Sequence, residues 1–269
     1  MQLANKPKPL LWLGLSRCSA VSAAQAARYV SLLSEAEIAR NQRYRFARDR
    51  HRDLVARALL RTSLAQRFDA DPAELDFTID TKGKPHLGRW PGSDGNPNAP
   101  ASLCFNLSHT GDWVVLVIAP FRVGVDIEHT PRQNDVLAIA RHYFFGKEVE
   151  QLFAFPASEQ RERFFDYWTL KEAYMKARGE GISLGLSNFG FTLPDVKSRA
   201  GAAFEKYGAI ELYTEPCLND NPQAWRFICA TPEPAYRLAI AARTEQAFAL
   251  QCEEVVPLVE RSELRWQLR

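Results

Sequence analysis

Residues 113–128 constrain this chain more than any other stretch. Trp113 to Ala119 and Val123 to Glu128 are two β-rich runs, and Pro120-Phe121-Arg122 between them reads as the turn of a hairpin. Helical patterns lie on both sides. Ser34-Glu35-Ala36-Glu37 has capping-box spacing and opens a basic helix. A second helix is expected from Asp49, where Leu54, Val55, Ala58, Leu59 and Thr62 form an apolar stripe flanked by Arg52, Arg57 and Arg61. Asn134 to Phe153 and Glu159 to Arg178 also read as helices, the second ended by Gly179 and Gly181. Short strands are expected at Leu10 to Leu15, Leu75 to Ile79, Phe189 to Leu193, Ile210 to Tyr213, Trp225 to Ala230 and Arg237 to Ala242. Thr81 to Pro85 is a turn, and Trp90 to Ala101 a loop rich in Pro, Gly and Asn. Strands and helices mix without strict βαβ alternation and without a repeat, so the class is α+β.

Length and composition narrow the function. The chain has 269 residues, enough for one large domain or two compact ones, and 25% are charged. No run nears the ~18 apolar residues of a membrane span. The apolar patch Leu10 to Leu15 is too short for a signal-peptide core, so a cytoplasmic protein is expected. Five cysteines without a C-x-x-C pair argue against a disulfide framework or a thiolate zinc site and for buried, inert thiols. Net charge is only +2, yet nine arginines crowd residues 40–67 against Asp49 and Asp53. Such a field suits phosphate, nucleic acid or an acidic protein, unless it is merely a solvated helix face. Aromatics interleave poorly with these arginines, which weakens the nucleic-acid option.

Three elements carry chemistry. In Val123-Gly124-Val125-Asp126-Ile127-Glu128 the period of a strand puts Asp126 and Glu128 on one face and Val125 and Ile127 on the other. Paired carboxylates suit Mg²⁺, which takes one or two of them with waters and substrate phosphates; the alternative is an exposed strand end with two solvated acids. On the helix, Glu172 and Lys176 are four residues apart and share a face. They are either a surface ion pair or a third carboxylate, serving as ligand or general base, with a phosphate anchor. His109, in Phe105-Asn106-Leu107-Ser108-His109, is either a phosphate donor or a structural histidine.

In order, Glu37-x-x-Arg40, Lys82-Gly83-Lys84-Pro85, Phe105-Asn106-Leu107-Ser108-His109, Gly124-Val125-Asp126-Ile127-Glu128, Phe144 to Glu148 and Trp168-x-x-Lys171-Glu172-x-x-x-Lys176 resemble the large, Sfp-like 4′-phosphopantetheinyl transferases. The resemblance covers roughly residues 35–190, and one departure is Gly146-Lys147, where the family often carries Ser or Pro. It implies transfer of 4′-phosphopantetheine from coenzyme A to a serine of an apo acyl or peptidyl carrier protein, with release of adenosine 3′,5′-bisphosphate. It implies Mg²⁺ on Asp126, Glu128 and Glu172, with Glu172 as base and Lys176 on the phosphate. Arg40 and His109 would reach the 3′-phosphate, and the Lys82-Gly83-Lys84-Pro85 turn, with its backbone N–H groups and two ammoniums, would cradle the adenosine. Arg52, Asn106 and Ser108, together with Asp126, Glu172 and Lys176, complete the implied coenzyme A set. The implied fold has two similar α+β halves related by a pseudo-twofold, each a small antiparallel sheet on a long helix, with the active site between them. The halves would be residues 1–120, with the basic helices, and 121–269, with the carboxylates, in a monomer bound neither to nucleic acid nor to membrane. Two rivals are a Mg²⁺-dependent phosphohydrolase of a pyrophosphate compound and a non-catalytic carrier-binding module; the latter predicts a missing acid or lysine, and none is missing.

Overall fold

A computed structural model describes residues 8–88, 103–131, 134–193 and 210–264. The first half runs β1 (Leu10–Arg17), α1 (Ala23–Tyr29), α2 (Glu35–Gln42), α3 (Ala47–Phe68), β2 (Phe77–Ile79), β3 (Pro85–Leu87), β4 (Cys104–Thr110) and β5 (Trp113–Ala119). The second runs β6 (Val123–His129), α4 (Val136–Tyr143), α5 (Gly146–Ala154), α6 (Ala157–Arg178), β7 (Phe189–Thr192), β8 (Glu211–Thr214), β9 (Trp225–Ala230), β10 (Tyr236–Arg243), β11 (Ala249–Val256) and β12 (Glu260–Glu263). The mixed α+β class is the expected one. The loop expected at Trp90 to Ala101 lies outside the described residues.

Two sheets dominate, in the orders β12-β11-β1-β5-β4 and β6-β10-β9. Alternation sorts their side chains into layers. Trp12, Val114, Leu116 and Ile118 meet Val55, Ala58 and Leu59 of α3. On the other face, Leu13, Leu15, Val115 and Val117 meet Val125, Ile127, Leu238 and Ile240 of the second sheet. Beyond that sheet, Phe227, Ala239 and Ala241 pack on Leu170, Ala173 and Ala177 of α6. The order of layers is thus helix, sheet, sheet, helix, and each long helix has 22 residues.

Local signals held where the partners are neighbours. Ser34 and Glu37 form the capping box of α2, and Gly179 closes α6 in the left-handed region at φ 74°. The expected hairpin at Pro120-Phe121-Arg122 does not form. Strand β5 already pairs with β1 and β4, while β6 pairs with β10 in the other sheet. Stacking the sheets face to face buries the valines of both strands at once, and the three-residue link carries the chain between layers. The true hairpin is β4–β5, through Gly111 at φ 56°. The single helix expected over Asn134 to Phe153 breaks at Phe144 and Phe145, both extended. There Phe144 stacks on Phe164 at 5.1 Å.

The last strands were not anticipated. β11 pairs parallel with β1, Leu11 opposite Leu250 and Leu13 opposite Cys252, and β12 extends that edge. The first sheet is therefore mixed, not antiparallel, and residues 249–263 complete it although the expected division put them in the second half. Among the thiols expected to be buried, Cys229 and Cys252 are, Cys18 and Cys104 are half-buried, and Cys217 is exposed on a turn. No helix among the described residues is long and apolar enough to cross a membrane.

Gly124 sets how closely α6 approaches β6. A Cβ there would stand 2.2 Å from the Ala173 carbonyl oxygen and 2.5 Å from the Ala177 nitrogen, both backbone. Gly124→Ala is expected to cost about 1–3 kcal/mol, as overpacking does when backbone must shift. Denaturant unfolding measures it, and a variant as stable as wild type would refute the close-approach argument.

Candidate active site

β4 and β6 are facing edge strands of the two sheets, and α6 lies over β6. A cleft of about 300 Å³ opens there, lined by Ser108, His109, Asp126, Glu128, Trp168, Glu172 and Lys176 among others. The structure thus gathers the strand acids, the helix pair and the Ser-His motif in one place.

The alternation in β6 is as expected, but Asp126 is no solvated strand-end acid: it is 4% exposed. Its Oδ1 accepts from Lys176 Nζ at 2.7 Å and from Ser108 Oγ at 2.8 Å. Its Oδ2 is buried with no hydrogen-bond partner. Lys176 therefore does not make the surface pair with Glu172; it reaches across to β6 and also touches Ser108 Oγ at 3.0 Å. Trp168 Nε1 donates to Glu128 Oε1 at 3.3 Å. Trp168, Glu172 and Lys176 recur every four residues, which puts all three on the face of α6 toward the cleft. Burial, then the charge of Asp126, raises the Glu172 carboxyl above its ordinary range, and Lys176 opposes this.

His109 is exposed at the cleft and is not a core histidine. Desolvation by the cleft wall, then the charges of Arg52 and Lys176, lower its pKa below the usual 6.5. Arg52 is half-buried and bonds Asp49 at 2.8 Å. Arg40 stands exposed in the last turn of α2. Other arginines of the basic run turn inward: Arg61, 1% exposed, bonds Glu37 at 2.6 Å and the carbonyls of Pro72 and Leu75. Arg57 lies between Glu37 and Asp53. Part of the apparent positive field is thus neutralised within the fold.

The Lys82-Gly83-Lys84-Pro85 turn is not an open cradle of backbone N–H groups. Asp80 takes the N–H of Lys82 and of Lys84 on its carboxylate, both at 2.9 Å, and that of Gly83 on its carbonyl. Lys82 is exposed, whereas Lys84 Nζ donates to the Lys176 carbonyl at 2.8 Å and so ties the turn to the end of α6. Lys84 and Pro85 line a second cleft of about 510 Å³, with Cys104, Arg122 and Arg178. Asn106 accepts the Val125 N–H.

A full carboxylate cage is not assembled: among the described residues no three His, Cys, Asp or Glu side chains are gathered closely enough to hold a metal. The donor set nonetheless fits a hard cation that keeps waters and phosphate ligands, because the buried Asp126 Oδ2 is unsatisfied and Glu128 and Glu172 line the same cleft. Sequence reasoning gave no role to Trp168 or to the Lys171–Glu148 pair, whose partners are far apart in the chain. The four-residue spacing of Trp168 from Glu172 was the available signal for the first; none marked the second.

Residues 122–241 match a sequence family described as the 4′-phosphopantetheinyl transferase superfamily, and residues 20–120 one described as 4′-phosphopantetheinyl transferase, N-terminal. The chain is 39% identical over 185 residues to a phosphopantetheinyl transferase of Thraustochytrium sp., covering 64% of this chain and 61% of that protein. It is 32% identical over 219 residues to the 4′-phosphopantetheinyl transferase psf-1 of Bacillus pumilus, covering 80% and 82%. It is 30% identical over 166 residues to the 4′-phosphopantetheinyl transferase Sfp of Bacillus subtilis, covering 62% and 69%.

Proposed function

This chain belongs to the 4′-phosphopantetheinyl transferases and is an enzyme of that family, and from that premise we propose that it moves 4′-phosphopantetheine from coenzyme A to a serine of an apo acyl or peptidyl carrier protein. The observation that carries this reading is the cleft in which Lys176 grips Asp126 while Asp126 Oδ2 stays unsatisfied and Glu172 stands alongside. Glu172 takes the proton of the carrier serine, whose oxygen attacks the phosphorus next to pantetheine. The bond from that phosphorus to the bridging oxygen breaks, and adenosine 3′,5′-bisphosphate leaves with the electron pair. Lys176 holds its ammonium against the phosphate, so catalysis is mainly positioning and charge neutralisation. Asp126, Glu128 and Glu172 would hold Mg²⁺, which when bound supplies positive charge to the pyrophosphate. The nucleotide end would run along β4 toward the second cleft, which Lys84 and Arg122 line. The two long helices, each on its own sheet, support two related halves with the reaction where β4 meets β6. One chain supplies every proposed group, which favours a monomer.

The test is incubation of the protein with coenzyme A, Mg²⁺ and a panel of apo-carriers, reading the mass added to the serine. Added phosphopantetheine, lost in excess EDTA, supports the reading. Consumption of coenzyme A without a carrier would favour the phosphohydrolase instead.

His109 gives a pH prediction. Its pKa is lowered in the free protein, so it is neutral above that value; a bound phosphate would favour the charged ring and raise the pKa. Coenzyme A binding should then take up a proton, and affinity should rise as pH falls through the raised value of the bound form toward the lowered value of the free protein. Calorimetry in buffers of different ionisation enthalpy measures the uptake. His109→Ala should abolish it, and uptake unchanged in that variant would remove His109 from the phosphate site.

A further inference from the structure

β6 carries Asp126 and Glu128 but, among the described residues, has a backbone partner on only one side, β10. Its other edge faces β4 of the first sheet, and side chains bridge the two. Asn106 Oδ1 accepts the Val125 N–H at 2.9 Å, and Ser108 Oγ accepts the Ile127 N–H at 3.4 Å. The Val125 carbonyl takes Lys176 Nζ at 3.3 Å. Residues 106 and 108 share one side of β4, and the N–H groups of 125 and 127 share one edge of β6, so both sets repeat every second residue. Two short polar side chains thus form a ladder where no backbone ladder exists. Ser108 also bonds Asp126 and Lys176, within the site itself. The recorded bond of Asn106 ends on the strand.

We propose that Asn106 is a positioning residue for the transfer reaction: it acts through β6, fixing the height of the strand and so of the Asp126 and Glu128 carboxylates, and does not touch coenzyme A. The inference rests on the transferase reading for its effect on rate, although the latch itself is a property of the fold. It departs from the coenzyme A contact that the family resemblance implies for Asn106. Without the amide oxygen, the Val125 N–H loses its acceptor, and the free edge of β6 keeps its contacts to Ser108 and, at the Val125 carbonyl, to Lys176. Small displacements of catalytic groups are costly in rate, about 10²-fold for 1 Å.

The experiment compares wild type, Asn106→Ala and Asn106→Asp, the last keeping an accepting oxygen. Asn106→Ala is expected to lower kcat about 10- to 100-fold with KM for coenzyme A within about twofold, and Asn106→Asp to recover most of the loss. Amide hydrogen exchange read by NMR should show the Val125 amide losing protection in Asn106→Ala and keeping it in Asn106→Asp. The Asp126 amide, on the edge that pairs with β10, should stay protected in all three. A raised KM with kcat intact would mean direct contact with coenzyme A and overturn the proposal. A lowered Tm with both kinetic constants intact would reduce Asn106 to a stability role and also overturn it. If the wild type modifies no carrier, the transferase reading fails, while protection at Val125 still decides the latch.

Discussion

Glu172→Gln is expected to lower the rate of carrier modification by roughly 10²–10⁴, the worth of a general base, with little change in melting temperature. Glutamine keeps the size and one oxygen of the side chain but not the negative charge that draws a proton from serine. The environment suits the role: burial and Asp126 raise the Glu172 carboxyl, which makes it a stronger base than a solvated one. The sign in pH follows. In the proposed role the active form is deprotonated, so the rate should fall as pH drops through the Glu172 titration, and Glu172→Gln should lose that limb. The task proposed for Lys176 is different. Lys176→Arg keeps the charge but replaces a compact ammonium with a planar fork, so partial activity should survive, whereas Lys176→Ala should lose far more. Rates with melting temperatures decide it, and a near-wild-type rate for Glu172→Gln would end the catalytic reading of α6.

The largest stability effect is expected at Lys171, adjacent in sequence but turned to the opposite purpose. Lys171 Nζ lies 2.7 Å from Glu148, and both side chains are 0% exposed. Nζ also donates to the carbonyls of Leu186 and Phe189, while Glu148 accepts the N–H groups of Phe145 and Phe191. The pair knits α5, α6 and β7 together. Burial pushes the Glu148 carboxyl up and the Lys171 ammonium down, so each depends on the other to stay charged. Lys171→Met strands a buried carboxylate and should cost about 3–5 kcal/mol. Glu148→Gln combined with Lys171→Met should recover part of the loss. In Lys171→Met alone the folded-state pKa of Glu148 should rise further above its unfolded value. The folded state then binds the proton more tightly, so the variant should gain stability as pH falls and lose it as pH rises toward the folded pKa. Urea unfolding at acidic and alkaline pH measures this; a loss below 1 kcal/mol would show that the site relaxes around the unpaired acid.

The sequence by itself determined what depends on neighbours a few residues apart. The Ser34–Glu37 cap, the stop at Gly179, and the shared face of Asp126 and Glu128 follow from the periods of helix and strand and from local hydrogen bonds. The order of the motifs likewise marked the family, and the face shared by Trp168, Glu172 and Lys176 was readable from their spacing. Tertiary structure decided the partners. Lys176 lies four residues from Glu172, yet it bonds Asp126, 50 residues away, because Gly124 lets α6 sit against β6. Asp80 claims the N–H groups of the turn that had seemed free for a ligand, and Arg61 turns inward to Glu37. Trp113 to Glu128 looked like a hairpin, but its two strands bury more apolar surface facing each other across two sheets. Strand β11, diluted by Gln251, Glu253 and Glu254, had no signal of its own; it forms because β1, more than 200 residues earlier, leaves an edge whose buried Leu11, Leu13 and Leu15 need a neighbour. Periodicity fixes where a side chain points along its own element. Which surface it then meets is settled by competition among all segments for burial and hydrogen-bond partners, and that competition exists only in the folded chain.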